Sequence, residues 1–224
     1  FQVMRLKEDD EVTLVFDDGI KRLARVVNVE ARQLELVEEL ADNVELPIQV
    51  TIASGFPKGD KLEFITQKVT ELGARQIWAF PADWSVAKWD GKKLGKKVEK
   101  LEKIALGAAE QSKRNLVPSI QLFEKKSDFL AQLEQFDRIV VAYEESAKEG
   151  ETAALIQSLT GLEAGNQLLL IFGPEGGLSP SEIGSFEAKG AVLAGLGPRI
   201  LRAETAPLYA LSAVSVVTEL MKNA

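Results

Sequence analysis

The sequence predicts an α/β protein in two parts: a small β-rich segment, then a mostly parallel sheet with helices over it. Three observations carry this. Apolar and polar residues alternate with a period of two near the start. After Pro47, strand-like runs alternate with helical ones. Two glycine-rich turns each follow an apolar strand directly. The chain has 224 residues, 46% of them hydrophobic and 27% charged. That is enough apolar material to bury a core, and low-complexity disorder is excluded.

In the first part, Val12, Leu14 and Phe16 alternate with Glu11, Thr13 and Asp17, and Asp17-Asp18-Gly19 signals a turn. Residues 20–29 and 33–37 read as further strands, enough for a small sheet or barrel. Leu46-Pro47 marks the boundary, giving domains of residues 1–47 and 48–224. In the second part, residues 48–53 form a strand. Residues 58–72 carry Leu62, Ile65, Val69 and Leu72 at helical spacing, and Gly73 closes the helix. A strand at 77–80 precedes a helix over 92–112 with Leu94, Val98, Leu101, Ala105 and Ala108 on one face. Strands follow at 138–143, 167–172 and 191–196, with helices starting near Glu151 and Ser179. The last helix follows Thr205. Its Leu208, Tyr209, Leu211, Val214, Val216, Val217 and Leu220 are apolar nearly all round, so it is expected to be buried, in part as a homodimer interface.

Composition narrows the chemistry. There is no cysteine and no histidine, so disulfides, Cys/His zinc sites, thiolate nucleophiles and imidazole bases are excluded. Carboxylates, Lys and Arg, hydroxyls, backbone amides or a bound cofactor remain. The longest uncharged run, 205–218, has fourteen residues, fewer than the roughly 20 of a membrane-spanning helix. No basic stretch followed by an apolar one opens the chain, so a cytoplasmic location is expected. The chain starts on Phe1, and its natural start is expected to lie upstream. Net charge is −7, yet residues 88–114 hold nine basic residues against four acidic ones, leaving −12 elsewhere. With Lys58, Lys61 and Lys68 on the preceding helix, they make a basic stripe suited to phosphates.

Two segments stand out. Gly173-Pro174-Glu175-Gly176-Gly177 follows an apolar strand and leads into Ser179-Pro180-Ser181-Glu182, a capping box with proline at the first helical position. Ligands of open α/β sheets bind in such loops, where glycine lets backbone amides approach them. No Lys-Ser/Thr follows, so this is not a Walker A loop, and it is not GxGxxG. The second, Leu196-Gly197-Pro198-Arg199-Ile200-Leu201-Arg202-Ala203-Glu204-Thr205-Ala206, also joins a strand to a helix and holds two arginines and a glutamate. Glu204 is equally well placed as a helix cap.

Together these segments resemble the 16S ribosomal RNA uracil-N3 methyltransferases, the RsmE family of the SPOUT superfamily. Gln67-Lys68-Val69-Thr70-Glu71-Leu72-Gly73, Glu110-Gln111-Ser112-Lys113-Arg114 and Val3-Met4-Arg5-Leu6-Lys7 also look like family segments. The resemblance implies a PUA-like β-barrel that helps bind RNA, then a dimerising α/β domain with a trefoil knot. It implies S-adenosyl-L-methionine as cofactor, no metal, and the small ribosomal subunit as partner. By carry-over the cofactor would lie against Gly173, Glu175, Gly176 and Gly177, and against Leu196, Gly197, Ile200, Leu201, Arg202, Ala203 and Thr205. Residues 142–145 would add a third contact. RNA would meet Lys58, Lys68, Lys92, Lys93, Lys96, Gln111, Arg114 and Arg199. With the natural start expected upstream of Phe1, the first barrel strand is expected to lie partly or wholly outside this sequence.

Without cysteine, a thiolate-dependent attack on a pyrimidine ring is closed, whereas transfer to a ring nitrogen or ribose oxygen stays open. Arg202 is expected to stabilise charge on the uracil carbonyls, and Glu204 to orient Arg202 or take the N3 proton. Arg199 would hold the cofactor carboxylate or a phosphate. Three rivals are weighed: a non-catalytic RNA-binding module, which leaves both loops unexplained; a nicotinamide oxidoreductase, which lacks its glycine fingerprint; and a related methyltransferase acting on another RNA site or a ribose oxygen.

Overall fold

A computed structural model describes residues 5–144 and 153–221. The chain divides into two units, one comprising residues up to Glu45 together with Lys113–Leu116, the other Leu46–Ser112 and residues from Val117 on. The division therefore falls two residues before the expected boundary, and the return of 113–116 to the first unit is invisible to a linear reading.

The first unit is a three-stranded antiparallel sheet, β1 (Glu11–Val15), β2 (Lys21–Asn28) and β3 (Gln33–Leu40), in that order. Gly19, at φ +74°, turns β1 into β2, and the Asp18 carboxylate accepts the Ile20 amide. Among the described residues this sheet is an open meander, since three strands alone cannot curl far enough to meet edge to edge. The 113–116 segment belongs here by its hydrogen bonds. The Asn115 side chain donates to the Gly19 and Asp42 carbonyls and accepts the Val44 amide. Glu45 takes both the Asn115 amide and the Arg114 guanidinium. Lys21, nearly buried, pairs with Asp42 at 2.6 Å and holds its carboxyl below the ordinary value.

The second unit is a six-stranded parallel sheet of β4 (Gln49–Gly55), β5 (Gln76–Phe80), β6 (Ser119–Leu122), β7 (Arg138–Ala142), β8 (Gln167–Phe172) and β9 (Val192–Ala194), ordered β6-β5-β4-β8-β7-β9. Among the described residues six α-helices accompany it: α1 (Lys61–Glu71), α2 (Gly91–Gln111), α3 (Lys126–Ala131), α4 (Ala154–Leu159), α5 (Pro180–Glu187) and α6 (Ala206–Ser215), the last running into a π-helical turn, Val216–Leu220. Glu151, the expected start of the helix before β8, lies outside the described residues.

Both faces are covered, as an all-parallel sheet requires. Leu168, Leu170 and Phe172 of β8 pack with Ile65 and Val69 of α1, Leu155 and Leu159 of α4 and Leu211 and Val214 of α6. The alternate residues Leu169 and Ile171 face Phe129 of α3 and Ile183 and Phe186 of α5. Phe80 stacks on Phe129 at 4.1 Å between ring centroids. The last helix is not buried all round. Pro207, Ala210, Leu211 and Val214 face the core, whereas Tyr209, Val216, Leu220 and Met221 are exposed. No helix among the described residues is long and apolar enough to cross a membrane.

Candidate active site at the carboxyl edge of the sheet

Because all six strands are parallel, the loops after β4, β5, β8 and β9 leave from one edge, where α/β proteins place ligands. The first loop, 173–178, is shaped by close approach. A Cβ on Gly173 would fall 2.8 Å from the Gly177 backbone carbonyl carbon, so only glycine lets the loop fold back on itself. The loop ends in the full capping box: Ser179 Oγ accepts the Glu182 amide, and the Glu182 carboxylate accepts the Ser179 amide. Glu182 is 1% exposed and reaches further. Its Oε1 accepts the Asp83 amide at 2.9 Å and faces Lys126 at 3.3 Å. Asp83 in turn pairs with Lys126 and accepts the Ser179 hydroxyl at 2.6 Å. Lys126 and then Ser179 hold the Asp83 carboxyl below its ordinary value. The loop is thus anchored to the turn after β5 and to the start of α3.

The second loop, 195–205, turns through Gly197 at φ +85° and closes into α6 by Thr205 and Ala206 amides donating to the Arg202 carbonyl. Thr205 is the helix N-cap but makes no side-chain cap bond, and Glu204 does not cap the helix. Glu204 points to Lys61 instead.

Lys61 brings the two loops together. Its Nζ lies 2.9 Å from Glu175 Oε1 and 3.1 Å from Glu204 Oε2, with all three side chains mostly covered. Glu175 also accepts the Lys58 amide at 3.1 Å. Contacts first to Glu175, then to Glu204, raise the Lys61 pKa. Burial works to raise both carboxyls. For Glu175, Lys61, its own amide and the Lys58 amide outweigh it; for Glu204, its own amide, Lys61 and Arg202 do. Both therefore sit below the ordinary glutamate value. Composition placed Lys61 in a phosphate-binding stripe. The overlooked signal is its position: a lysine at the first residue of a helix opposes the helix dipole unless carboxylates offset it.

The other expected residues divide into two groups. Arg199, Ile200 and Arg202 are exposed, and among the described residues neither arginine forms an ion pair. Lys58, Lys92, Lys93, Lys96 and Gln111 are exposed as expected of an RNA-facing surface. Lys68 is half-buried and held by Glu71 at 2.8 Å. Arg114 is corrected: it is 4% exposed, its guanidinium is spent on Glu45, and it secures the first unit instead of facing solvent. Of the third expected contact, Ala142 ends β7, Tyr143 and Glu144 follow it, and Glu145 lies outside the described residues. A shallow depression on α2 lined by Glu99, Glu102, Lys103 and Leu106 has neither glycine loops nor converging polar groups.

The loops fit a cationic methyl donor on two counts. The closest approaches of the first loop are made by Gly173 and Gly176, and the two loops bring two carboxylates to one ammonium, acidic partners for a sulfonium or an α-ammonium group. Among the described residues no cluster of three or more Asp, Glu, His or Cys could hold a metal.

Comparison with known proteins agrees with this geometry. Residues 44–215 match the model of an RNA methyltransferase domain, and residues 1–39 match an RNA methyltransferase PUA domain. The ribosomal RNA small subunit methyltransferase E of Bacillus subtilis is 48% identical over 99% of this chain and 87% of its own length. The protein of that name from Mycobacterium tuberculosis is 31% identical over 96% of this chain and 82% of its own. A crystal structure of ribosomal RNA small subunit methyltransferase E from Neisseria gonorrhoeae, bound to S-adenosyl methionine, superposes with a TM-score of 0.81 at 25% identity, covering 96% of this chain and 86% of that one.

Proposed function

We propose that this chain, which belongs to the RNA methyltransferase domain family and carries its PUA domain, methylates 16S ribosomal RNA of the small subunit from S-adenosylmethionine, at N3 of one specific uridine. The observation that carries this reading is the Lys61 bridge, which sets the two glycine-containing loops against each other at the carboxyl edge of the sheet. Bound there, the cofactor supplies a methyl group already made electrophilic by its sulfonium, and the rest falls to this chain's residues.

Arg202, exposed and unpaired among the described residues, is the group for negative charge developing on the uracil carbonyls. Of the two roles expected of Glu204, orienting Arg202 fits better than taking the N3 proton, because a carboxylate held below its ordinary pKa is poorly matched to a neutral operating pH; the N3 proton then passes to solvent. Gripped by Lys61, Glu204 serves to place the loop that carries Arg202. Arg199 is free to hold the cofactor carboxylate or a phosphate. The exposed Lys58, Lys92, Lys93 and Lys96, with Gln111, form the RNA-facing surface of the second unit, and the PUA domain adds its own.

Two structural readings accompany this. A trefoil knot is supported by chain order: β9 pairs outside β7, yet Glu204, eleven residues on from Leu193, returns to Lys61 beside β4. A homodimer through the second unit is supported by the exposed Tyr209, Val216, Leu220 and Met221 of the last helix. Action on ribosomal RNA supports a cytoplasmic location.

The test is nucleoside mass spectrometry of small-subunit RNA, free and assembled, after incubation with the protein and S-adenosylmethionine. The expected product is 3-methyluridine at a single position. Methyl groups on a ribose oxygen or another base would replace this reading.

A further inference from the structure

An exposed tryptophan lies against the first loop without a part in the core. Trp84, in the segment between β5 and α2, is 49% exposed. A tryptophan can bury roughly 150–250 Å², so a half-exposed one keeps a large face open to a partner. The exposure is not slack, because the segment is pinned at both ends. Asp83 is held by Glu182, Ser179 and Lys126. Trp89 packs on Phe56 with ring centroids 4.3 Å apart and lies 4.3 Å beneath the Lys97 ammonium, and Asp90 caps α2.

Trp84 lies where the loop has no side chains. A Cβ on Gly176 would fall 3.0 Å from the Trp84 Cβ, and one on Gly177 would lie 3.9 Å from the indole ring. The neighbouring Ser85 hydroxyl is shielded and has no hydrogen-bond partner among the described residues. Lys88, Lys92, Lys93 and Lys96, all exposed, follow in the same segment and the first turns of α2. A fixed aromatic face in a segment that runs on into exposed lysines is the chemistry that receives an unpaired nucleobase and the phosphates that continue from it.

We propose that Trp84 is the platform on which an unpaired base at the modification site stacks beside the methyl donor, making it a determinant of RNA recognition. This rests on the methyltransferase reading above. Two measurements on the full chain test it. In the first, W84A should raise KM for the RNA about ten-fold or more, W84F should retain most of the affinity, and S-adenosylmethionine affinity by calorimetry should stay within about two-fold. In the second, oligouridylate should quench the tryptophan fluorescence that W84F removes, and an abasic oligonucleotide of equal charge should not. Unchanged KM in W84A, equal quenching by the abasic strand, or loss of cofactor affinity matching the loss of RNA affinity would each overturn the proposal. The quenching measurement needs no methyl transfer. If the intact protein fails to bind S-adenosylmethionine, the underlying reading fails separately from the stacking result.

Discussion

Lys61 occupies the first residue of α1, where a cation is unfavourable, and only Glu175 and Glu204 make that position sensible. Its replacement by methionine keeps the stem's bulk and removes the charge that joins the loops. The bridge sets its own pH window. Glu175 and Glu204 have folded values below the ordinary one, so the stability they add is present above that value and lost as pH falls through their lowered values. Lys61 has a raised folded value, so its share is present below the ordinary lysine value and lost as pH rises through the raised one. The bridge's own contribution to cofactor affinity should therefore be constant from about pH 6 to 9. In K61M cofactor affinity should fall, with its acid limb moved up in pH, since burial of the carboxyls is then opposed only by backbone amides and, for Glu204, by Arg202. Calorimetry across pH reads this, and an unmoved acid limb would show that the bridge does not shape the site. R202A should lower turnover roughly 10²- to 10³-fold with little change in cofactor affinity; near-normal methylation would remove Arg202 from the chemistry. Residue types alone revealed the arginines and glycines of the loops. They could not distinguish Arg114 from Lys61, because which lysine or arginine finds a carboxylate depends on segments 69 and 114 positions away.

At the scale of elements, the capping box before α5 was legible from Ser179, Pro180 and Glu182 alone, since every partner lies within four residues. Its extension to Asp83 and Lys126 was not, as it joins three separate turns. Glu182→Ala strands the Ser179 amide in a buried place and the Asp83 amide in a partly buried one. Urea unfolding should show a loss of about 2–4 kcal/mol, drawn from an unsatisfied-group cost of roughly 1–3 kcal/mol apiece. A loss under about 0.5 kcal/mol would mean that the amides find other acceptors. Helix α1 starts three residues later than its periodicity suggests, because Gly59 at φ +64° turns the chain before Asp60, the N-cap position. The strand β6 and the helix α3 escape sequence reading altogether. Four and six residues are too short to display a period, and β6 is recognised only by its pairing with β5.

For the whole molecule, alternation of strand and helix foretold the parallel sheet, and the basic segment foretold a cationic surface on an acidic chain. What linear order could not show is that the segment divides: Lys92, Lys93 and Lys96 stay exposed on α2, while Arg114 is consumed inside the first unit. The two groups should separate experimentally. Each lysine changed to alanine should weaken RNA binding and lower the salt slope by about 1. R114A should instead destabilise the first unit with the slope unchanged while folded; a lowered slope would return Arg114 to the RNA surface. The most direct measurement is hydrogen exchange on the full chain with and without S-adenosylmethionine. Amides of 173–178 and 195–206 are expected to gain protection together, at one cofactor concentration. Protection of one loop alone, or of neither at saturating cofactor, would contradict a shared pocket.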